Sequence, residues 1–223
     1  LNGNYSCTSG SFTSSTGTIT LGGTTVAGVA HAGGGTTSFL NITINKTGAG
    51  GPDVTSTSDW TVTGNYTNTA GDFACTGGTV TWLGVAAQTL QVNGGTAQFN
   101  NFTVSLSSGF MLTHNTGSFT ILGNYSCTSG SFNSTAGTIT MAGGGNTSIS
   151  DTSTGTTSFF GLTINKAAGG LDVTSTSDWA VNSTYTNTLG DLVCTGGTVT
   201  MGGTVGVNLS VNGGTVQFNN LTI

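Results

Sequence analysis

The sequence predicts an all-β protein, a parallel β-solenoid wound as one continuous rod, and three observations predict it. A Thr-apolar-Thr element recurs along all 223 residues, clearest in Gly78-Thr79-Val80-Thr81-Trp82. Thr, Ser, Gly, Asn and Val dominate while Glu and Arg are absent, a composition that favours strands and corners over helices. The chain also repeats itself on two scales, the signature of coils stacked along an axis.

The long repeat is literal: Gly3-Asn4-Tyr5-Ser6-Cys7-Thr8-Ser9-Gly10-Ser11-Phe12 returns unchanged as Gly123 to Phe132, and Asp53 to Trp60 returns as Asp172 to Trp179. Each copy divides again, because Gly64-Asn65-Tyr66 with Gly71-Asp72-Phe73 mirrors Gly3-Asn4-Tyr5 with Gly10-Ser11-Phe12. One continuous domain over 1–223 follows, with a first repeat over 1–120 and an incomplete second over 121–223, each made of units of about 60 residues. The Thr elements fall at 18, 43, 61, 79, 103, 120, 138, 163, 180, 198 and 222. Taken as one per coil, they predict eleven rungs, three to a unit, and a rod of roughly 50 Å at about 4.8 Å per rung.

Strand alternation assigns the faces. Ile19/Leu21, Ile42/Ile44, Trp60/Val62, Val80/Trp82, Phe102/Val104, Phe119/Ile121, Ile139/Met141, Leu162/Ile164, Trp179/Val181, Val199/Met201 and Leu221/Ile223 should point inward and form one core. Thr18, Thr20, Thr61, Thr63, Thr79, Thr81, Thr138, Thr140, Thr198 and Thr200 should then form an outward, hydroxyl-bearing array. Tyr66 and Phe73, and Leu90/Val92 or Leu209/Val211, mark further strands in each coil, and Gly-Gly and Asn-Gly steps supply corners that need positive φ. A sandwich would instead show two-residue turns between matched antiparallel runs. Right-handed coiling is the expectation for parallel crossovers.

In its Gly-Asn-Tyr, Gly-Thr-Val-Thr and Phe-Asn-Asn-Leu/Phe-Thr repeats the chain resembles secreted β-solenoid proteins of bacterial and archaeal surfaces, the filamentous-haemagglutinin-like adhesin and fibre class. The resemblance implies an extracellular, cell-surface location and a structural or adhesive role, and it carries no catalytic residues over.

Composition excludes several functions. Lys46 and Lys166 are the only basic side chains besides two His, against seven Asp, for a net charge of −5, so nothing could neutralise nucleic-acid phosphates. No apolar run of about 18 residues exists to span a membrane as a helix. The chain starts at Leu1 without Met, as a processed or trimmed product would. Eleven Asn-x-Ser/Thr sequons stand in the sequence, against roughly six or seven expected by chance in so Asn-, Ser- and Thr-rich a chain, so glycosylation is not indicated.

No cofactor, metal or catalytic residue is expected. Cys7, Cys75, Cys127 and Cys194 are two pairs of repeat equivalents set three rungs apart, about 14 Å from one to the next, too far for a bridge within the chain. Small buried thiols, or bridges between chains, are the alternatives. His31 and His114 are not repeat equivalents and no Cys-x-x-Cys spacing occurs. Asp53/Asp172, Asp59/Asp178 and Asp72/Asp191 recur with the architecture, whereas a catalytic pair should occur once, and no Arg is present to meet a developing anion. These Asp are expected to be turn residues bonding their own backbone, and Asn4, Asn65 and Asn124 to stack as amide ladders.

The chain begins in mid-pattern at Leu1, Asn4 and Tyr5 and stops in mid-strand at Asn220, Leu221 and Ile223, without charged caps. These residues are therefore expected to be assembly ends in a head-to-tail homopolymer, or cut points in a longer array. The expected function is an extracellular filament, sheath or stalk subunit whose partner is itself, with surface glycans as a second candidate partner. The alternatives are an adhesive or ice-binding face built from the Thr array and, less favoured, a carbohydrate-active enzyme.

Overall fold

In the computed structural model, which describes residues 1–48, 53–204 and 206–223, the chain is an all-β solenoid without helices. Strands pair in parallel, each with the strand one coil earlier and one coil later, so every coil contributes three strands to three lengthwise faces. Face 1 starts at Tyr5–Cys7, face 2 at Phe12–Thr13 and face 3 at Thr18–Gly23. Face 2 is a separate ten-stranded sheet. Faces 1 and 3 merge into one eighteen-stranded sheet because Thr157–Asn165 and Trp179–Leu189 each run straight through a corner and serve both faces.

There are thus ten layers and about nine turns, not eleven rungs. The reason lies in the phase of the repeat. Gly-Asn-Tyr opens the strand Tyr5–Cys7, recurs eight strands on at Tyr66–Ala70, and again eight strands on at Tyr125–Ser129. At three strands per layer a 60-residue unit spans two and two-thirds layers, not three. Thr43 to Thr61 is where the third is lost: from Asn41–Lys46 only two strands, Val54–Ser56 and Trp60–Val62, complete the step. Nine layer steps of about 4.8 Å give a described rod of roughly 43 Å.

The core is the predicted one. Every predicted inward pair is buried except Ile19, half-buried in the first layer, and Leu221 and Ile223 in the last. An aromatic ladder runs through it, from Tyr5, Phe12 and Phe39 through Trp60, Phe73, Phe99 and Phe102 to Tyr125, Phe132, Phe159 and Trp179, most pairs tilted or edge-on, with neighbouring ring centres 5.2 to 6.0 Å apart. Edge-on pairs of this kind add about 0.5–1.5 kcal/mol each beyond burial.

The corners explain the glycines. Gly78, Gly137 and Gly197 stand at one position of three successive units, each with φ +69°, and a Cβ on Gly78 would lie 2.4 Å from the backbone carbon of Ser58 one coil below. Positive φ and close coil-on-coil approach both require glycine there. Register slips after Ile44, Val104 and Ile164 are likewise repeat equivalents. Asn45, Ser105 and Asn165, the residues that interrupt the Thr pattern, are the residues at those bulges.

Candidate functional site

The ten expected array threonines are all at least partly exposed, yet they do not share one face. Because each unit advances by eight strands, the Thr element changes face at each short step. Thr18 and Thr20 lie on face 3, Thr61, Thr63, Thr79 and Thr81 on face 2, Thr138 and Thr140 on face 1, and Thr198 and Thr200 on face 3 again. The rows are also one threonine wide. Thr81 pairs with Thr61 below and Thr103 above, and Thr79 pairs with Asn101. Thr140 lies between Thr120 and Thr163, which continues to Thr186, whereas Thr138 meets Gly161. The long, flat, two-wide array expected from the sequence is therefore four short ladders distributed over the three faces, each a strand-stabilising row.

Asn and Asp at the corners make a second pattern, and it corrects two expectations. Asn4 Oδ1 accepts from Gly28 N at 2.7 Å, Asn65 Oδ1 from Thr89 N at 2.8 Å and Asn124 Oδ1 from Ser148 N at 2.9 Å, each 24 residues on. Asp72 and Asp191 accept likewise from Thr96 N and Thr215 N, and Asp59 and Asp178 from Thr79 N and Thr198 N. Asp53 Oδ2 accepts from Asp72 N. The amides do not stack on one another, and these carboxylates do not close their own turns: both clamp the N–H of the coil above. Every one of these bonds runs in the same axial direction.

Inside the corners, small polar groups satisfy the carbonyls that point inward. Asn68 Nδ2 donates to Gly71 O and Thr96 O, and Asn187 Nδ2 to Gly190 O and Thr215 O. Cys75 Sγ donates to Gly77 O at 3.0 Å, and Ser134 Oγ to Ala136 O at 3.1 Å. The four cysteines are free. Cys7 and Cys75 lie three layers apart on face 1, and Cys127 and Cys194 three layers apart on face 2, so the two pairs do not form a single row. Burial pushes the Cys75 and Cys127 thiols up, and that of Cys194 up to about 11, which suppresses thiolate chemistry.

Lys46 and Lys166 are the residues least legible beforehand: both are buried, with the ammonium turned inward as a corner cap. Lys46 Nζ donates to Gly22 O at 2.6 Å and Thr25 O at 2.7 Å. Lys166 Nζ donates to Ala142 O and to Thr147 Oγ1, and its burial lowers its pKa. Their place in the inward alternation Ile42/Ile44/Lys46 and Leu162/Ile164/Lys166 was the available signal. With no Arg in the chain, the surface carries no cationic Lys or Arg side chain. His114 is also wholly buried. Among the described residues no group of three His, Cys, Asp or Glu could hold a metal ion.

At the axial ends the inward residues lie uncovered. Leu1 and Asn4 are exposed and Tyr5 half-buried in the first layer, while Leu209, Val211, Asn220, Leu221 and Ile223 are exposed in the last. No family model, curated protein or solved structure matches this chain.

Proposed function

We propose that this chain is an extracellular structural protein, a β-solenoid segment that builds length in a surface filament, sheath or stalk by stacking coil on coil. The observation that carries this reading is the shared axial direction of the Asn and Asp corner clamps: their side-chain oxygens accept from N–H groups of the next layer. The last layer offers the same chemistry to whatever follows. Asn101 donates through Nδ2 to Gly78 O and accepts from Asn124 N through Oδ1. Asn220, its repeat equivalent, makes the same donor bond to Gly197 O. Leu221 and Ile223 beside it present the apolar residues that a further coil would cover. The role is architectural, with no catalytic residue, and an end-to-end contact would join one copy to the next in one orientation.

Electron microscopy and light scattering across a concentration series test it. Unbranched filaments of solenoid width are expected, shortened by Leu221→Asp with Ile223→Asp. A monodisperse monomer at every concentration would overturn the polymer reading.

A further inference from the structure

Among the described residues, three clefts repeat at one position of three successive units. One, about 580 Å³, is lined by His31, Thr36, Asp59, Trp60, Thr79 and Thr81. A second, about 480 Å³, is lined by Thr156, Asp178, Trp179, Thr198 and Thr200. A third, about 340 Å³, is lined by Thr96, Ser118, Phe119 and Thr140. Position by position these are successive 60-residue equivalents: 36, 96 and 156; 59, 118 and 178; 60, 119 and 179; 81, 140 and 200. An accidental dent would not recur at one position of three units. The clefts open beside faces 2, 1 and 3 in chain order, a third of a turn apart, and each step rises about 13 Å, two and two-thirds layers of about 4.8 Å.

The cleft follows from corner lengths. In the first copy the corner over 32–36 has five residues, and in the two layers above it the corners over 57–59 and 76–78 have three. The second copy repeats this with 152–156, 176–178 and 195–197. The wide corner forms one wall. Asp59 and Asp178 are held at the floor because one carboxylate oxygen accepts the next layer's N–H at 2.7 Å. The other oxygen, Oδ2, has no hydrogen bond among the described residues, and both Asp side chains are exposed. Ser118 takes the same place in the third copy, its Oγ accepting from Thr138 N at 2.9 Å.

The lining chooses the ligand class. It offers threonine hydroxyls and methyls, corner backbone and, in two copies, a free carboxylate oxygen. Both lysines are buried and the chain has no Arg, so no Lys or Arg side chain lines the clefts, His31 contributes an imidazole to the first alone, and the net charge of −5 repels anions. Volumes of this size lie at about the lower half of the 300–1,000 Å³ range of small-molecule sites. We propose that the three clefts are copies of one binding site for uncharged, hydroxyl-rich ligands, segments of neutral polysaccharide, with the free oxygen of Asp59 or Asp178 accepting from sugar hydroxyls. Sites turned a third of a turn apart engage separate chains, so the rod would cross-link a neutral glycan matrix. The sites need no end-to-end assembly and are tested on the monomeric fraction.

The experiment is calorimetric titration with neutral glucan, mannan and galactan oligomers, with oligogalacturonate as the charged control. Two equivalent sites and a weaker third are expected. Asp59→Asn with Asp178→Asn keeps the acceptor for the next layer's N–H but loses the carboxylate, and should weaken the two sites about tenfold. Thr81→Trp and Thr200→Trp, outward on strands that tolerate aromatics, should each remove one site while thermal unfolding stays that of the parent. Absence of binding to every neutral oligomer, tighter binding of oligogalacturonate, or unchanged stoichiometry in folded Thr81→Trp/Thr200→Trp would overturn the proposal.

Discussion

Ser175 with Trp179 and His114 with Phe119 occupy the same position of two successive units and fill it in opposite ways. In the first pair the small side chain stands on the strand and the large one at the corner, with Trp179 Nε1 donating to Ser175 Oγ at 3.0 Å. In the second the sizes are exchanged. The His114 ring meets Phe119 edge-on at 5.0 Å, and its Nδ1 contacts Ser134 Oγ at 2.8 Å in the next layer. Ser56 and Trp60 repeat the Ser-Trp solution one unit earlier. The aromatic contact behind the corner is conserved in all three units: Trp60 on Phe39 at 5.7 Å, Phe119 on Phe99 at 5.6 Å and Trp179 on Phe159 at 6.0 Å. The core therefore constrains the summed volume of the pair, and the repeat is free to divide that volume either way.

The largest effect should come from mixing the two solutions. His114→Ser alone leaves Phe119 facing a void and should cost about 3 kcal/mol. Phe119→Trp alone overpacks against the imidazole and should cost about 1–3 kcal/mol. Made together they recreate the Ser-Trp pair, and most of the loss should return, a coupling of about 2 kcal/mol in a denaturant-unfolding cycle. Additive losses would break the idea that the two pairs are interchangeable.

The same exchange carries a pH dependence. Ser134 Oγ donates its own proton to Ala136 O, so it accepts from His114 Nδ1–H, and Nε2 is left as a bare, unpartnered nitrogen in the core. Burial lowers the His114 pKa to about 4, against about 6.5 in an unfolded chain. Between those values the unfolded state binds the extra proton, so the stabilisation is full above pH 6.5 and is lost as pH falls toward 4. The loss reaches up to about 3 kcal/mol. The double variant His114→Ser/Phe119→Trp lacks the imidazole and should lose less stability than the parent over this window. Equal losses between pH 7 and pH 4.5 in thermal melts of the two proteins would show that His114 binds its proton as readily in the core as in the unfolded chain.

These pairs also show how far the sequence was legible. Period-two alternation is local, so the inward residues followed from it, and the fixed repeat spacing carried the parallel coil. The layer count did not, because a spacing of 18 residues spans three strands from Thr61 to Thr79 but two from Thr43 to Thr61, and only the coil above decides which. For the same reason the Thr rows appeared as one face, although each unit turns them by a third. Asp59 and Asn65 were recognisable as corner residues, but their partners lie 20 and 24 residues away, beyond the reach of turn rules. Lys46 and Lys166 sat in the inward register all along. Their charge argued for solvent, and the carbonyls that hold them come from a different coil. The clefts arise from the difference between neighbouring corner lengths, which appears only once the layers are aligned.

The smallest predicted effect separates alternate units. Tyr5 Oη and Tyr125 Oη lie 2.9 and 2.8 Å from the Oγ1 atoms of Thr37 and Thr157. Tyr66 and Tyr185 stand at the same position, but the partner sites are Ala97 and Val216, and both hydroxyls are buried without a partner among the described residues. Register makes the sites equivalent, since Phe132 pairs with Thr157, Phe73 with Ala97 and Leu192 with Val216. Ala97→Thr should therefore supply Tyr66 with the bond Tyr125 already has and raise unfolding stability by about 1 kcal/mol. Thr157→Ala should orphan the Tyr125 hydroxyl and lower stability by about 1–2 kcal/mol. Opposite signs for these mirror substitutions would establish that the units share one hydrogen-bonding plan that the second and fourth leave incomplete. Destabilisation by both would mean that Ala97 is set by packing around Tyr66, and that the alternation between units reflects two distinct cores.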